Sequence, residues 1–414
     1  MISNELFSSY RKTLLKLGLT SILLSLPLVA FAEDMDQADE EYASVSYPTF
    51  KLGGFTDLNL AFDISNPAKI WSKGFKEGQF ILHVNSQLSE KFSYFSELSM
   101  TAQVDAPFNF EVERTILKYD FNDLFKLSIG RYHTPVNYWN VAFHHGQWLQ
   151  TSIARPEITK FGGKLIPVHF VGGLVEGSIP AMGLNLNYNL GMGNGRSQVI
   201  SRAGDAGDAN LSPAWLLGLF VKPDFLYDLQ VGGAIYWDKM TKDKPKPVIP
   251  ATPAVAAPAA GTPVAPAAAT TKAFDLKHDI DPKSTATNHD ELITSAHIVW
   301  AKETPEFIAE FTNITHAHDD KSITNNWGYY VQVGYRLPIL DARLKPYVRW
   351  EDIKIDPKDD SFTKESLTSF SKLNVGLRWD ISDLVATKLE YQLTKEGTAT
   401  SFTHGLVSQT SWTF

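Results

Sequence analysis

Three histidines lie close together in the sequence: His133, followed by the adjacent pair His144 and His145. Imidazole nitrogens are common ligands of zinc and copper, so a loop carrying three of them could hold a transition metal. The chain has no cysteine to complete a ligand set, and the rings of adjacent residues seldom converge on one ion. We therefore expect these rings to form hydrogen bonds within their loop, and we predict no metal and no cofactor.

Two other groups of polar residues could support chemistry. His316, His318 and the two aspartates that follow could bind a metal at a loop tip, but we expect them to form a solvated polar loop instead. His404 and Ser408 share one face of a predicted strand, but nothing in the sequence orients the histidine as a general base. No phosphate-binding glycine loop or zinc-protease motif is present. We predict that the protein is not an enzyme.

Composition restricts the class of protein. The chain has 414 residues, of which 43% are hydrophobic and 12% aromatic, with a mean hydropathy of -0.15. Residues 33–414 contain no apolar run of eighteen residues, which excludes a bundle of membrane-spanning helices. Alternating strands of a membrane barrel would average to such a hydropathy. The net charge of -8 makes nucleic acid an improbable partner.

The first 32 residues have the order of a secretory signal. Arg11, Lys12 and Lys16 precede an uncharged apolar stretch that ends in Ala30 and Ala32 with one residue between them. Small residues at these two positions suit signal-peptidase cleavage. We predict a cleaved signal at residues 1–32 and a single domain at residues 33–414; a retained membrane anchor is the alternative. Export without cysteine suits the envelope of a Gram-negative cell.

Apolar and polar residues alternate with a period of two along most of the remaining chain, as in β-strands. Leu373, Val375 and Leu377, for example, alternate with polar neighbours. Short and long connections also alternate, which is typical of an antiparallel outer-membrane barrel; a soluble secreted β-protein is the alternative. The sixteen predicted strands are residues 53–63, 78–89, 92–103, 110–121, 124–132, 168–178, 183–192, 213–222, 226–238, 290–302, 305–316, 326–337, 343–354, 369–380, 384–395 and 403–414.

The two faces of the predicted strands differ in chemistry. The apolar face often ends in Trp, as at Trp350 and Trp379, and such residues form aromatic girdles at the membrane interfaces. The polar face carries acidic and basic residues together, which we expect to line the lumen. The predicted lumen charges are Arg336, Lys345, Arg349, Glu351, Arg378, Lys388 and Glu390.

Two of the predicted external loops are unusual. Residues 245–269 consist almost entirely of Pro and Ala, which indicates an extended or disordered surface segment. The third long loop, residues 132–167, is instead rich in aromatic residues that are unfavourable in water. We predict that it folds into the lumen and constricts the pore; packing over the rim as a lid is the alternative. The predicted constriction residues are Tyr132, His133, Tyr138, Trp139, His144, His145, Trp148, Arg155, Glu157 and Lys160.

The third loop is basic within an acidic protein. Arg131, Arg155, Lys160 and Lys164 oppose Glu157 alone. The local field in a narrow lumen acts on a passing ion, so an excess of cations there favours anions. Arg155 is the strongest candidate for selectivity. Pairing with Glu157 or with a wall carboxylate, which would only fix the loop in place, is the alternative.

The chain ends in Ser-Trp-Thr-Phe, and Trp412 and Phe414 lie on one face of the predicted last strand. A closing strand with a terminal Phe resembles the signal that the barrel-assembly machinery recognises in outer-membrane proteins. We therefore predict that outer-membrane lipid, lipopolysaccharide and this machinery are partners of the chain.

The run GRYHTP at residues 130–135, followed by YWN at 138–140 and HHG at 144–146, resembles a segment of porins related to the phosphate-selective porin group. The resemblance implies a sixteen-stranded barrel, usually a homotrimer, through which small anions or other solutes diffuse. We therefore predict an outer-membrane porin for small hydrophilic solutes, with a preference for anions. A surface-displayed barrel that acts as an anchor or adhesin without transport is the alternative.

Overall fold

Sixteen antiparallel strands run through the described part of the chain. The computed structural model describes residues 46–62, 74–103, 108–160, 164–196, 212–240 and 288–414, together with residues 200, 204, 205, 207 and 208. The predicted signal and the Pro/Ala-rich segment lie outside these residues. The strands are β1 (Thr49–Phe62), β2 (Phe75–Gln87), β3 (Phe92–Thr101), β4 (Asn109–Asn122), β5 (Phe125–His133), β6 (His169–Ile179), β7 (Leu186–Asn194), β8 (Ala214–Val221), β9 (Leu229–Met240), β10 (His289–Trp300), β11 (Glu306–His318), β12 (Ile323–Gly334), β13 (Leu344–Lys354), β14 (Phe370–Asp380), β15 (Val385–Glu396) and β16 (Thr403–Thr413).

Helices are few and short in the part of the chain that the structure describes. The α-helices are α1 (Tyr138–Ala142) and α2 (Asp360–Thr363), and single 3₁₀ turns occur at Glu157–Thr159, Ala181–Gly183 and Asp224–Leu226. Among the described residues, none of the helices has the length and apolar character needed to span a membrane.

Each strand pairs with its sequence neighbours, and β1 also pairs with β16, so the sheet closes into a barrel. Closure leaves no unpaired edge, which satisfies the backbone polar groups without help from water. The predicted all-β barrel of sixteen strands is therefore confirmed. It arises because nearly every strand carries the period-two alternation that lets one face of a sheet differ from the other.

The polarity of the barrel is the reverse of that of a soluble β-protein. Along β13, Val348 and Trp350 are 41% and 37% exposed on the outside, whereas Arg349 and Glu351 are 0% and 1% exposed on the inside. Apolar residues outside and charged residues inside are the arrangement expected for a barrel surrounded by lipid.

The predicted strand ends differ from the observed ones by up to four residues. β1 begins at Thr49 rather than at residue 53, since its pairing with β2 continues through residues that precede two glycines. β7 begins at Leu186 rather than at residue 183, because Met182 adopts a positive φ of 56° within a 3₁₀ turn. Local backbone conformations of this kind do not alter the hydrophobic pattern, so the pattern did not reveal them.

The seam between the first and last strands depends on the terminal residue. The backbone N–H of Phe414 donates to the Gly54 carbonyl at 3.2 Å, and the Gly54 N–H donates to the Phe414 carbonyl at 3.1 Å. The Phe414 ring stacks on Phe80 with centroids 5.6 Å apart. A Cβ atom at Gly54 would lie 2.8 Å from the Phe414 ring and 2.1 Å from the Ile81 carbonyl. The last residue therefore packs where only glycine leaves room.

Replacing Phe414 with Ser should reduce the amount of folded barrel several-fold, because the variant loses the ring contact that completes the seam. Phe402 is similarly exposed (41% against 54%) but precedes β16, so Phe402→Ser is a matched control. The measurement is the fraction of heat-modifiable protein in isolated outer membranes. Equal amounts of folded barrel in the two variants would contradict this role of Phe414.

Candidate functional site

The chain turns into the barrel at the end of β5. Gly130 adopts a φ of 149°, which is unfavourable for other residues, and the pairing of β5 with β4 ends one residue later, at Arg131. The Arg131 guanidinium then donates to the carbonyls of Val112 and Glu113 at 2.6 and 2.7 Å in place of the missing strand partner. Arg131 therefore braces the wall at this point, and the chain leaves the sheet after His133, the last residue of β5 that pairs with β6.

Residues 134–168, which connect β5 to β6, form the inserted loop. Its first part is held by a carboxylate of the opposite wall. Glu310 on β11 accepts hydrogen bonds from the backbone N–H groups of Tyr138 and Trp139, at 2.6 and 2.9 Å. These are first-turn amides of α1, which no side chain at the N-cap residue Asn137 satisfies. Glu310 thus supplies the cap of α1 from another strand, and its negative charge suits the helix N-terminus. Asn137 instead donates to Thr312 at 2.9 Å.

The second part of the segment contacts charged side chains of β13 to β15. Wall cations donate to backbone carbonyls: Arg378 Nη1 reaches those of Trp148 and Gln150 at 2.7 and 2.9 Å. Wall carboxylates accept from backbone amides: Glu390 from Ile153 at 3.0 Å, and Glu351 from Glu157 at 2.7 Å.

Most of the predicted lumen charges lie on this wall and contact the loop. Arg349 Nη1 donates to Ser152 Oγ at 2.6 Å, and Lys388 donates to the backbone carbonyl of Gln147. Arg336 and Lys345 lie near the short turn between β10 and β11, where both pair with Glu303. Burial opposes ionisation of Glu303, but hydrogen bonds from Arg336 and the nearby Lys345 hold its pKa at about 2. The wall charges therefore form hydrogen bonds and ion pairs within the protein.

The aromatic residues of the loop have different surroundings. Trp139 is fully buried, with the Arg349 guanidinium 5.5 Å from its ring and the Tyr330 ring edge-on at 5.9 Å. Trp148 is half-buried and stacks against Phe55 on β1, with centroids 6.3 Å apart. Tyr138 contacts Phe143 edge-on, and Tyr132 donates to Ser128. The burial of Trp139 explains why an aromatic loop can be stable inside the barrel.

Two cavities lie beside the loop. The first, about 400 Å³, is bordered by β1, β2 and β16 on one side and by the loop on the other. The second, about 480 Å³, lies beside the turns that carry Glu303 and Asp383. Gln147 and Gln150 line the first cavity, whereas the intervening Trp148 and Leu149 line the second. Residues 147–150 therefore lie between the two cavities.

The charged residues of the predicted constriction border the first cavity. Arg155 Nη1 donates to the His144 carbonyl at 2.9 Å, and burial lowers its pKa to about 9, which still leaves it protonated at neutral pH. Lys160 pairs with Glu157 at 2.9 Å, and Lys372 lies 3.6 Å from the other Glu157 oxygen. The partners considered for Arg155 from the sequence are thus engaged elsewhere: Glu157 by two lysines and Glu351 by Arg349 at 2.9 Å.

His133, His144 and His145 come together, although their sequence spacing did not favour this. The rings of His133 and His144 stack with centroids 3.7 Å apart, and the His144 and His145 rings are 4.4 Å apart. All three are buried beside Glu113 of β4 and His169 of β6. Burial lowers the pKa of His144 well below its ordinary value of 6.5, so its ring is neutral at pH 7.

The other two groups singled out in the sequence behave differently. His316 does not join the aspartates at the loop tip: it is buried between Glu291 and Asp359, at 3.0 and 2.8 Å. The solvated loop expected for His316 is therefore wrong, because its strand carries it into the lumen. His404 lies on the exposed surface with its Nδ1 2.5 Å from the Tyr391 hydroxyl.

Several residues that line the site were not identified from the sequence. Gln79 and Glu113 lie where the register of β1 with β2 and of β3 with β4 shifts. Such bulges re-aim side chains, so simple alternation misplaces them. Lys76 and Lys372 also line the first cavity. The alternation of the predicted strand 369–380 could have placed Lys372 on the inner face, whereas Lys76 precedes the predicted strand 78–89.

Replacing Glu310 with Ala should loosen α1, because two hydrogen bonds to a charged acceptor are lost, each contributing roughly 1.5–3 kcal/mol. We expect the amides of Tyr138 and Trp139 to exchange with deuterium at least about tenfold faster, as 1.4 kcal/mol corresponds to a factor of ten. Glu176→Ala is a matched control, since Glu176 pairs with Lys118 instead of with the loop. Unchanged protection of both amides in the Glu310 variant would contradict the capping role.

The comparisons with known proteins concern the fold. No protein-family model and no curated protein matches the chain. Among solved structures, the chain is similar to an anion-selective porin from Comamonas acidovorans, with TM-score 0.55 and 11% identity over 89% of this chain and 100% of that one. It is also similar to a loop-deletion mutant of OmpT, an outer membrane protein of Vibrio cholerae (TM-score 0.54, 12% identity, covering 89% and 100%), and to Pseudomonas putida OprB (0.53, 9%, covering 88% and 94%). At these identities the likeness establishes the fold, and the chain has the barrel fold of an outer-membrane porin.

Proposed function

We propose that the protein is an outer-membrane porin through which small hydrophilic solutes diffuse passively, with a preference for anions. The observation that carries this proposal is the first cavity, an open polar space between the inserted loop and the wall formed by β1, β2 and β16. The charge-in, apolar-out polarity of the wall supports a place in the outer membrane, among lipid and lipopolysaccharide. Passive diffusion needs no catalytic group and no cofactor.

The path we propose runs from the first cavity past residues 147–150 into the second cavity. Trp148 is the largest side chain of this stretch, and its ring stacks against Phe55 on β1. Side chains of β11 and β13 to β15 form hydrogen bonds with the loop backbone. The open space beside the loop therefore lies toward β1 and β2. We therefore place the constriction between the loop and this side of the barrel.

The charges around the first cavity support the anion preference. Its lining includes four basic residues and two acidic ones, a formal excess of +2. In a narrow space with low-dielectric walls, such an excess raises the local concentration of anions. The basic residues are Lys76, Arg155, Lys160 and Lys372, and the acidic ones are Asp57 and Glu157.

A homotrimer is part of the proposal. One of the similar structures is described as the trimer form of OmpT from Vibrio cholerae (TM-score 0.51, 10% identity, covering 89% of this chain and 99% of that one). Many exposed apolar side chains on the outer face would suit both lipid and neighbouring subunits. Light scattering of the detergent-solubilised protein, corrected for bound detergent, measures the subunit number directly.

Single-channel recording in planar bilayers tests the function itself. We expect discrete conductance steps with salt solutions on both sides, and reversal potentials under a KCl gradient that favour chloride. Folded protein that inserts without any conductance would contradict the porin proposal and would favour a barrel that serves as an anchor or adhesin.

Charge reversal at the first cavity should abolish the anion preference. Lys160→Glu and Arg155→Glu each change the local charge by two, which reduces the excess from +2 to zero. Lys160 is the cleaner position because its side chain is 65% exposed, whereas Arg155 also holds the His144 carbonyl. We expect reversal potentials to shift toward the cation, and the shift to shrink near 1 M salt, where the screening length falls to about 3 Å.

Lys302→Glu is the matched control for this charge change, because Lys302 is exposed near the turn between β10 and β11 and does not line the first cavity. It should leave the reversal potential unchanged. If Lys160→Glu behaves like this control while the barrel folds normally, the first cavity does not set the selectivity.

Removing the Trp148 ring should widen the proposed constriction. We expect Trp148→Ala to raise single-channel conductance beyond the spread among wild-type channels, with a smaller change in ion preference. Trp350→Ala removes an equal ring from the lipid-facing surface of β13 and should leave conductance unchanged. Equal conductance in the two variants would show that the path lies elsewhere.

A further inference from the structure

We propose that Glu113, His133, His144 and His145 form a binding site for a divalent transition-metal ion of the zinc type. Each of the four residues is buried and offers one ligand atom, and these atoms lie within 4.8 Å of one another. Zinc bonds to nitrogen and oxygen of about 2.0–2.1 Å place tetrahedral ligands roughly 3.3 Å apart. The Nε2 atom of His145 is already 3.2 Å from Glu113 Oε1. Small side-chain movements would bring the remaining atoms to this separation.

The orientation of His144 is set by a neighbouring amide. Asn140 Nδ2 donates to the carbonyls of Thr134 and Val168, both at 3.0 Å, so its Oδ1 must be the atom that faces His144 Nδ1 at 2.9 Å. An amide oxygen only accepts, so the His144 proton lies on Nδ1 and the lone pair on Nε2. The Arg155 Nη2 atom is 3.3 Å from the same Nδ1 and leaves this assignment unchanged, because Asn140 has no other orientation that satisfies its partners. Metal-binding histidines are commonly oriented in this way.

His145 is oriented by the same principle. Its Nδ1 lies 3.1 Å from Gln79 Oε1, which also accepts from Gln147 Nε2, while Gln79 Nε2 donates to Thr101. A ring that donates from Nδ1 to Gln79 can bind a metal through Nε2, the atom that faces the Glu113 carboxylate. Glu113 is fixed in turn by Ser99, whose hydroxyl donates to Oε1 at 2.8 Å.

The surroundings of His133 supply an independent observation that points to a ligand. Among the described residues, neither of the buried His133 ring nitrogens has a hydrogen-bond partner, although Nε2 lies 3.3 Å from Glu97 Oε2. Burying a polar group without a partner costs roughly 1–3 kcal/mol. A cation bound to one nitrogen of the His133 ring would remove this cost at that atom.

Arg131 Nη1 lies 3.6 Å from Glu113 Oε2, beyond hydrogen-bond distance, so Glu113 can still act as a ligand. Glu97 is engaged by Arg114 at 2.6 Å and by His83 at 2.9 Å, so it acts as a neighbour of the cluster. Glu113 also lies 2.7 Å from His169, which borders the site and could serve as a further ligand.

The carboxylates of the second buried histidine cluster are already paired with cationic side chains. There, Glu291 is paired with Arg196 at 3.2 Å and with His316 at 3.0 Å, and His316 bonds Asp359 on its other side. An arginine and a doubly paired histidine already provide the positive charge that the buried carboxylates need. The proposed metal site is therefore confined to the cluster around Glu113.

A metal at this position would connect three parts of the fold: β4 through Glu113, the end of β5 through His133, and the inserted loop through His144 and His145. It would fix the loop to the side of the barrel opposite Glu310. His144 and Gln79 both line the first cavity, so an ion in that cavity would reach the edge of the site. The site stands independently of the channel proposal, since metal binding is measured without conductance.

The test uses the untagged full-length protein folded in detergent and treated with a chelator. We expect titration calorimetry to give one Zn²⁺ per chain and Co²⁺ to produce visible ligand-field bands typical of a low-coordinate site. His145→Ala and Glu113→Gln should each weaken Zn²⁺ binding at least tenfold and reduce the Co²⁺ bands. Gln79→Ala, which removes only the orienting group, should weaken binding roughly 10- to 100-fold.

His297→Ala is the control, because His297 faces Gln230 on β10 and β9 and lies outside the cluster. It should bind Zn²⁺ like the wild type. Heat-modifiable mobility establishes that each variant is folded, and Gln79→Ala keeps every ligand in case the others misfold. The proposal is overturned if the wild type binds no stoichiometric Zn²⁺ or Co²⁺, or if all folded variants bind as tightly as the wild type.

Discussion

Hydrogen bonds between charged side chains of the inner wall and the backbone of the inserted loop hold the interior of this barrel together. A carboxylate or guanidinium removed from bulk water needs a partner, and burial without one is costly. Here the amides of the loop satisfy Glu310, Glu351 and Glu390, and its carbonyls satisfy Arg378 and Lys388. The loop in turn has its polar backbone satisfied inside the protein. Each partner makes the burial of the other tolerable.

This arrangement separates two kinds of charge in the lumen. Apart from Lys372, which lines the first cavity, the charges on β11 and β13 to β15 form hydrogen bonds or ion pairs within the protein. In the channel that we propose, they contribute little to the field acting on a solute. The cavity beside the loop is lined by a different set, which includes Lys76, Arg155 and Lys160. The charges that line this cavity, rather than all inward-facing charges, therefore determine the local field.

The loop is also attached on its other side. Backbone hydrogen bonds join it to one half of the barrel, and the cluster of His144 and His145 with Glu113 joins it to β4. A segment fixed at both sides of a lumen has few ways to move, which is what a constriction of constant width requires. The two attachments differ in chemistry, since one consists of hydrogen bonds to charges and the other of imidazole and carboxylate groups.

The sequence by itself determined the sixteen strands and their antiparallel order, because alternation and turn spacing are local properties. The aromatic content of residues 132–167 also predicted that this loop folds into the lumen. The sequence also placed Arg349 and Glu351 on the inner face by parity. Only the tertiary structure decided which side chains meet. Bulges re-aim Gln79 and Glu113, the pairing of β5 with β6 brings His169 beside His133, and Glu310 caps a helix that lies more than 160 residues earlier in the sequence. Such contacts depend on strand register and barrel closure, which join residues far apart in the chain and leave no trace in a local pattern.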